Sequence, residues 1–175
     1  MGQEFETKVL DIDVNEIERK LRKLGAKSEK EVLMRRWVFD IDLSRDEWIR
    51  LRDDGHKNTI TYKCKTGHGI SETEEIEVEV SDFEETAKIL SKLEFKDTYY
   101  QENRRKAFEL KGIEFTIDTW PKIPPYLEVE SSSEKKVKEG LKMLGLEGKD
   151  AGNITVKATY DRYRINLHSF KELRF

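Results

Sequence analysis

Polar and apolar residues alternate one by one from Gln3 to Leu10, the two-residue period of a strand with one buried face. From Val14 to Leu24 the period lengthens. Val14, Ile17, Leu21 and Leu24 share one helical face, Asp13 is placed to cap the start, and Gly25 can close the end. Val32–Ile41 and Trp48–Arg52 read as strands, and Asp54-Gly55 signals a hairpin turn into a strand over Asn58–Lys65. A loop at Gly67–Gly69 leads to strict alternation over Glu74–Val80, then to an amphipathic helix over Asp82–Leu93. Two long strands follow, Tyr99–Leu110 and Ile113–Thr119, turning at Lys111-Gly112. The three prolines, Pro121, Pro124 and Pro125, fill one loop before a short strand over Tyr126–Glu130. Ser133–Leu144 reads as a helix with Val137, Leu141 and Leu144 inward and Gly145 as its stop, and Asn153 can cap a last helix ending near Ile165. About eight strands, mostly joined by hairpins and with helices inserted, predict an antiparallel α+β fold. Nothing in the chain reads as a linker or a repeat, so residues 1–175 are expected to form a single domain.

Composition adjusts this picture in two ways. Of the 175 residues, 39% are charged and 36% apolar, a polar balance for a folded chain, yet 10% are aromatic and three are Trp, which disordered chains lack. The 33 basic and 36 acidic side chains nearly cancel to −3, which disfavours a general nucleic-acid binder or an anionic-membrane binder. A lone Cys64 fits a reducing compartment. No apolar run approaches the roughly 20 residues of a membrane span, and Met1-Gly2-Gln3-Glu4 leads straight into a charged strand without the apolar stretch of a signal peptide. The expected location is cytoplasmic.

Because side chains alternate along a strand, each strand commits its charges to one face. Glu4, Glu6 and Lys8 share a face, as do Arg50 and Arg52, Lys63 and Lys65, then Glu75, Glu77 and Glu79, then Glu128 and Glu130. One wet face on an antiparallel sheet is ordinary and needs no function. Here, however, the signs segregate by strand, and the charges sit at strand centres. A barrel of about eight strands has room for one small ligand. Were the charged face its interior, with the apolar face covered by helices, the cations would call for a polyanion. The carboxylates would suit a hard cation such as Mg²⁺ or Mn²⁺.

These residues resemble a known family. Glu4-Phe5-Glu6-Thr7-Lys8 is similar to the ExExK signature of the CYTH superfamily, the triphosphate tunnel metalloenzymes. Further along, Ile49-Arg50-Leu51-Arg52, Thr61-Tyr62-Lys63, Glu75-Ile76-Glu77, Arg105, Thr116-Ile117-Asp118 and Leu127-Glu128-Val129-Glu130 follow the family's strand motifs in order over nearly the whole chain. The resemblance implies an eight-stranded antiparallel β-barrel, a triphosphate tunnel with helices packed outside, and a reaction that depends on Mg²⁺ or Mn²⁺. It implies metal held by Glu4, Glu6 and Glu130 with Glu128 and Asp118 close by. Phosphate oxygens would be gripped by Lys8, Arg50, Arg52, Lys63 and Arg105, with Lys65 further out, and Lys8, Arg52 and Lys63 would act on the reacting triphosphate. The family includes thiamine triphosphatases, inorganic triphosphatases and class IV adenylyl cyclases. The segment Trp120-Pro121-Lys122-Ile123-Pro124-Pro125-Tyr126-Leu127-Glu128-Val129-Glu130 departs from the Gly-containing LGxFxEIE stretch of those cyclases, which favours hydrolysis of a small-molecule triphosphate over cyclisation of ATP. A non-catalytic polyphosphate-binding module is the third reading, and a homodimer is compatible with all three.

The remaining candidates carry blander expectations. Glu75, Glu77 and Glu79 either orient the cations or only balance them. His56 and His68 stand beside turn glycines, and His168 is expected in solvent. Cys64 alternates to the apolar face, and Trp37, Trp48 and Trp120 read as packing residues. Lys157 and Tyr160 on the last helix could plug one end of a tunnel.

Overall fold

The computed structural model describes residues 5–42, 47–65 and 73–175. Two compact units emerge, one from Met1–Val32 with Arg104–Leu167, the other from Leu33–Asn103 with His168–Phe175. Among the described residues there are ten strands and four α-helices.

In the first unit, β1 (Phe5–Val9) pairs antiparallel with β9 (Tyr126–Ser131), β9 with β8 (Ile113–Thr119), and β8 with the second half of β7 (Asp97–Leu110). The short β2 (Lys27–Ser28) adds to β7. Two residues are too few to leave an alternation, which is why the sequence pattern missed it. The β7–β8 hairpin turns at Lys111 and Gly112, whose φ values of 56° and 72° are those of a tight turn that matches strand twist. Helices α1 (Val14–Lys23) and α3 (Glu134–Leu144) bury Ile17, Leu21, Val137, Leu141 and Leu144 against Val9, Phe108, Phe115, Ile117, Leu127 and Val129 of the sheet. Gly140 lets α3 sit close: a Cβ there would stand 3.0 Å from Val129 and 3.2 Å from Phe115. Both helix starts form as the sequence predicts for α1 and α3. Asp13 accepts the Glu16 N–H and Ser133 the Lys136 N–H.

The last helix, α4 (Val156–Arg162), starts later than expected, capped by Thr155 and not by Asn153, because Ile154 N–H turns back to the Gly152 carbonyl. Tyr160 on α4 is fully buried, packs edge-on against Trp120 and donates to the Pro121 carbonyl. Lys157 pairs with Asp161 along its own helix.

In the second unit, β3 (Val32–Asp42), β4 (Glu47–Asp53), β5 (Asn58–Lys65) and β6 (Thr73–Val80) pair antiparallel in sequence order, and β3 neighbours β7. The terminal β10 (Glu172–Leu173) pairs parallel with β7 at Tyr100 and Gln101. Helix α2 (Phe83–Leu90) covers Phe39, Leu51 and Tyr100 with Phe83 and Leu90. It ends before Leu93 because Lys92 and Leu93 tighten into three-residue hydrogen bonds to Ile89 and Leu90. Cys64 is buried as expected, Trp37 packs on Tyr100 and Phe39, and exposed His168 stacks on Tyr99.

In both units, therefore, helices take the apolar side of the strands and leave the charged side opposite them.

Candidate functional site

In the first unit, register decides which charges meet. Opposed residues on antiparallel strands share a face. Lys8 lies opposite Glu128, Glu6 opposite Glu130, Thr116 opposite Glu128, and Arg105 opposite Asp118. Lys8 Nζ contacts Glu128 at 2.9 Å and Glu6 at 3.6 Å. Arg105 donates to both oxygens of Asp118, at 2.9 and 2.6 Å, and to Glu128 at 3.3 Å. Lys8, Asp118 and Glu128 are buried, and Asp118 has no exposed surface.

One carboxylate oxygen from each of Glu6, Glu128 and Glu130 lies within 4.8 Å of the others. Burial first, then the neighbouring Glu128 charge, pushes the Glu6 carboxyl above its ordinary pKa, against the pull of Lys8. Burial alone would also push Glu128 up, but Arg105 and then Lys8 outweigh it and hold Glu128 below the usual carboxylate range. Desolvation works against the Arg105 charge, and Asp118 and Glu128 overcome it and keep the guanidinium protonated. Three converging carboxylates are the oxygen donor set that Mg²⁺ or Mn²⁺ takes. Thr116 Oγ1, opposite Glu128, is buried without a hydrogen-bond partner, as expected of a face that receives a polar ligand. The donor set thus fits a hard divalent cation.

Of the five expected metal ligands, Glu6, Glu128 and Glu130 converge, while Asp118 is engaged by Arg105. Glu4 and His68 lie outside the described residues.

In the second unit the charged face is a lattice of rows across the strands. Glu75, Lys63, Trp48 and Asp40 form one row. Glu77, Thr61, Arg50 and Val38 form the next, and Glu79, Thr59, Arg52 and Arg36 the third. The strand-by-strand segregation of signs becomes ion pairing here, because the acidic β6 lies beside the basic β5. Lys63 contacts Glu75 at 2.8 Å, Thr61 donates to Glu77 at 2.7 Å, and Arg50 approaches Glu77 at 4.0 Å. Lys65 ends β5, opposite Thr73. Arg36, Thr59 and Asn103 escaped the sequence reading. For Arg36 a signal existed, since it lies at even spacing from Asp40 within an alternating strand. Thr59 and Asn103 likewise lie at even spacing from Lys63 and Arg105, and register reveals which residues they meet.

The CYTH domain profile matches residues 2–154, and this chain belongs to that family. A Methanocaldococcus jannaschii protein, MJ0240, named as a provisional adenylate cyclase, is 35% identical over 134 residues, 74% of this chain and 77% of that protein. Among solved structures, PH1012 from Pyrococcus horikoshii is 25% identical, covers 85% of this chain and 93% of its own, and superposes with a TM-score of 0.69. HpAC1 from Hippeastrum, a provisional adenylyl cyclase described as revealing a dominant triphosphatase activity, is 16% identical over 95% of this chain and 98% of its own, with a TM-score of 0.59. The family and the antiparallel α+β fold class expected from the sequence are both borne out. No helix among the described residues is long and apolar enough to cross a membrane.

Proposed function

We propose that this chain is a divalent-metal-dependent hydrolase of a triphosphate-bearing substrate, either inorganic triphosphate or the triphosphate of a nucleoside or of thiamine. The observation that carries this reading is the convergence of Glu6, Glu128 and Glu130 beside Lys8 and Arg105 on one sheet face. Glu6, Glu128 and Glu130 would hold Mg²⁺ or Mn²⁺, with Glu4 as a further ligand and Asp118 holding Arg105 in place. A metal bound there would neutralise phosphate charge and lower the pKa of a coordinated water.

Phosphoryl transfer asks little covalent work of a protein; positioning and charge stabilisation supply most of the catalysis. Lys8 and Arg105 are fixed by carboxylates at 2.6–3.6 Å and so are pre-oriented to meet phosphate oxygens as charge develops. On the second unit's charged face, Arg50 and Arg52 would supply planar guanidinium forks, and Lys63 a point charge, for phosphate oxygens. In hydrolysis, water forms the new bond to the terminal phosphorus as the bond to the bridging oxygen breaks. Diphosphate leaves, or the diphosphate ester if the substrate is esterified, and the water's proton passes to solvent.

The cyclase reading is favoured by one observation, the 35% identity to a protein named for that activity. There the ribose 3′-hydroxyl would attack the α-phosphorus and pyrophosphate would leave. Product analysis with tripolyphosphate, ATP and thiamine triphosphate, with Mg²⁺ or Mn²⁺ and then with chelator, separates the readings. Metal-dependent orthophosphate, strongest from tripolyphosphate, is the expected result. Cyclic AMP with pyrophosphate would establish the cyclase, and tight binding without product a binding module. Glu6→Gln removes one ligand of the carboxylate set. It should lower metal-dependent turnover by more than about a hundredfold, since even outer-shell partners of a metal cost 10–100-fold, while leaving the circular dichroism spectrum unchanged. Full activity in this variant would reject the metal assignment.

A further inference from the structure

We propose that Arg36 and Thr59, together with Arg52, form an anion subsite that takes a phosphoryl group of the polyphosphate. This inference rests on the polyphosphate reading above and extends it to two residues that none of the family motifs contains.

The three residues oppose one another across β3, β4 and β5, Arg36 against Arg52 and Arg52 against Thr59, on the charged face of the second unit. Their row differs from the two beside it. In those, the β6 carboxylate turns to a neighbour on the same face: Glu75 to Lys63 at 2.8 Å, and Glu77 to Thr61 at 2.7 Å. The β6 member of this row, Glu79, is exposed and engages Lys57 at 3.5 Å. Within the row, Nε of Arg52 and Oγ1 of Thr59 are buried without a hydrogen-bond partner, and Thr59 is only 1% exposed.

Both features cost stability in the empty protein. Like charges directly opposed on neighbouring strands repel, and a buried hydroxyl or N–H without a partner forfeits its hydration. A tetrahedral anion would answer both, because its oxygens accept from two guanidinium groups and a hydroxyl at once. Arg36 is already aimed: its Nη2 donates to Oδ1 of Asn103, a neutral partner that fixes the guanidinium without adding negative charge. A carboxylate has only two oxygens and one plane. A phosphoryl group has oxygens on several sides, which suits donors arriving from three strands.

The test is binding of tripolyphosphate in the presence of chelator, by titration calorimetry, to the wild type and to Arg36→Gln, Arg36→Lys, Thr59→Val and Arg52→Gln. Arg36→Gln should weaken binding about tenfold, the worth of one hydrogen bond to a charged group. Thr59→Val, which keeps the volume, should weaken it severalfold and raise the unfolding temperature of the empty protein. A merely structural role would do the opposite, lowering the unfolding temperature and leaving affinity alone. Arg36→Lys keeps the charge and the fold and should recover part of the lost affinity. Wild-type affinity in either Arg36→Gln or Thr59→Val, alongside loss in Arg52→Gln, removes that residue from the subsite and leaves the functional reading standing. No binding by the wild type in chelator would overturn the subsite, and no binding once Mg²⁺ or Mn²⁺ is restored would overturn the functional reading with it.

Discussion

Glu128 in the first unit and Asp40 in the second are both buried carboxylates on the charged side of a sheet, with 7% and 6% exposure. Their surroundings differ. Glu128 receives Lys8 at 2.9 Å and Arg105 at 3.3 Å, and those cations hold its pKa down against burial. Asp40 stands at the bulge of β3 with Oδ2 buried and without a hydrogen-bond partner. Burial pushes its pKa up, Asp97 adds to the push, and His168, Lys171 and Lys96 do not compensate. On the first face the charged groups pair with one another, so it can present its carboxylates in fixed geometry, and among them the Thr116 hydroxyl is buried without a partner. The second face leaves polar atoms unsatisfied at Asp40, Arg52 and Thr59, as a surface does when a ligand completes it.

The largest break in this comparison comes from Asp118. It is fully buried and takes two hydrogen bonds from Arg105, so Asp118→Ala leaves a guanidinium whose side chain is only 30% exposed with the single 3.3 Å contact to Glu128. Breaking such a pair from one side costs about 3 kcal/mol or more. Urea denaturation at neutral pH should show that loss. A loss below about 1 kcal/mol, the range of a surface pair, would mean that the first face is no more self-supporting than the second.

How much of this was legible beforehand follows from what each feature depends on. Strand and helix identity depends on local periodicity, and nearly every long element was readable from it. The ends of α2 and α4 were not, because they are set by backbone bonds at Leu93 and Ile154 that no alternation encodes. The ExExK strand and the late acidic strand named Glu6, Glu128 and Glu130 before any geometry. That Asp118 serves Arg105 while those three converge depends on register and on side-chain reach. The same holds for Glu75 and Glu77. The sequence leaves open whether they orient the cations or only balance them, and the pairing of β6 with β5 is what makes Glu75 the ion-pair partner of Lys63. Arg36 and Thr59 join a site only because three strands place them abreast.

The pH dependence of stability sharpens the contrast between the two carboxylates. The folded state holds the Asp40 proton more tightly than the unfolded chain does. Asp40 therefore favours folding fully below the unfolded carboxylate value of about 3.9, and that contribution is lost as pH rises through its raised folded value. At neutral pH, Asp40→Asn removes a buried charge, keeps the shape and should raise the unfolding midpoint by about 2–4 °C, near 1 kcal/mol for a chain of this size. The gain should vanish in acid. Glu128 has the opposite sign: its depressed pKa gives stability above the unfolded value of about 4.3, lost as pH falls through the folded value. Glu128→Gln should therefore be most destabilising at neutral pH. Thermal melts of both variants across the acid range check this, and parallel curves would mean the two carboxylates sit in equivalent surroundings.

The smallest effect decides what the β6 acids do. Glu75 is 43% exposed and Lys63 21%, so their 2.8 Å pair is worth less than about 1 kcal/mol of stability. Glu75→Gln should barely move the urea midpoint. Its effect on tripolyphosphate affinity is more informative. Were Glu75 needed to aim Lys63, binding would weaken, because a flexible lysine stem would lose its fixed direction. If Glu75 only neutralises Lys63, its removal leaves a cation that no longer has to leave one anion to meet another, and binding should tighten by up to about fivefold, the equilibrium equivalent of 1 kcal/mol. The lattice of rows favours tightening. In the Arg36 row the β6 carboxylate engages Lys57 at 3.5 Å, and it is the neutral Asn103 that positions Arg36.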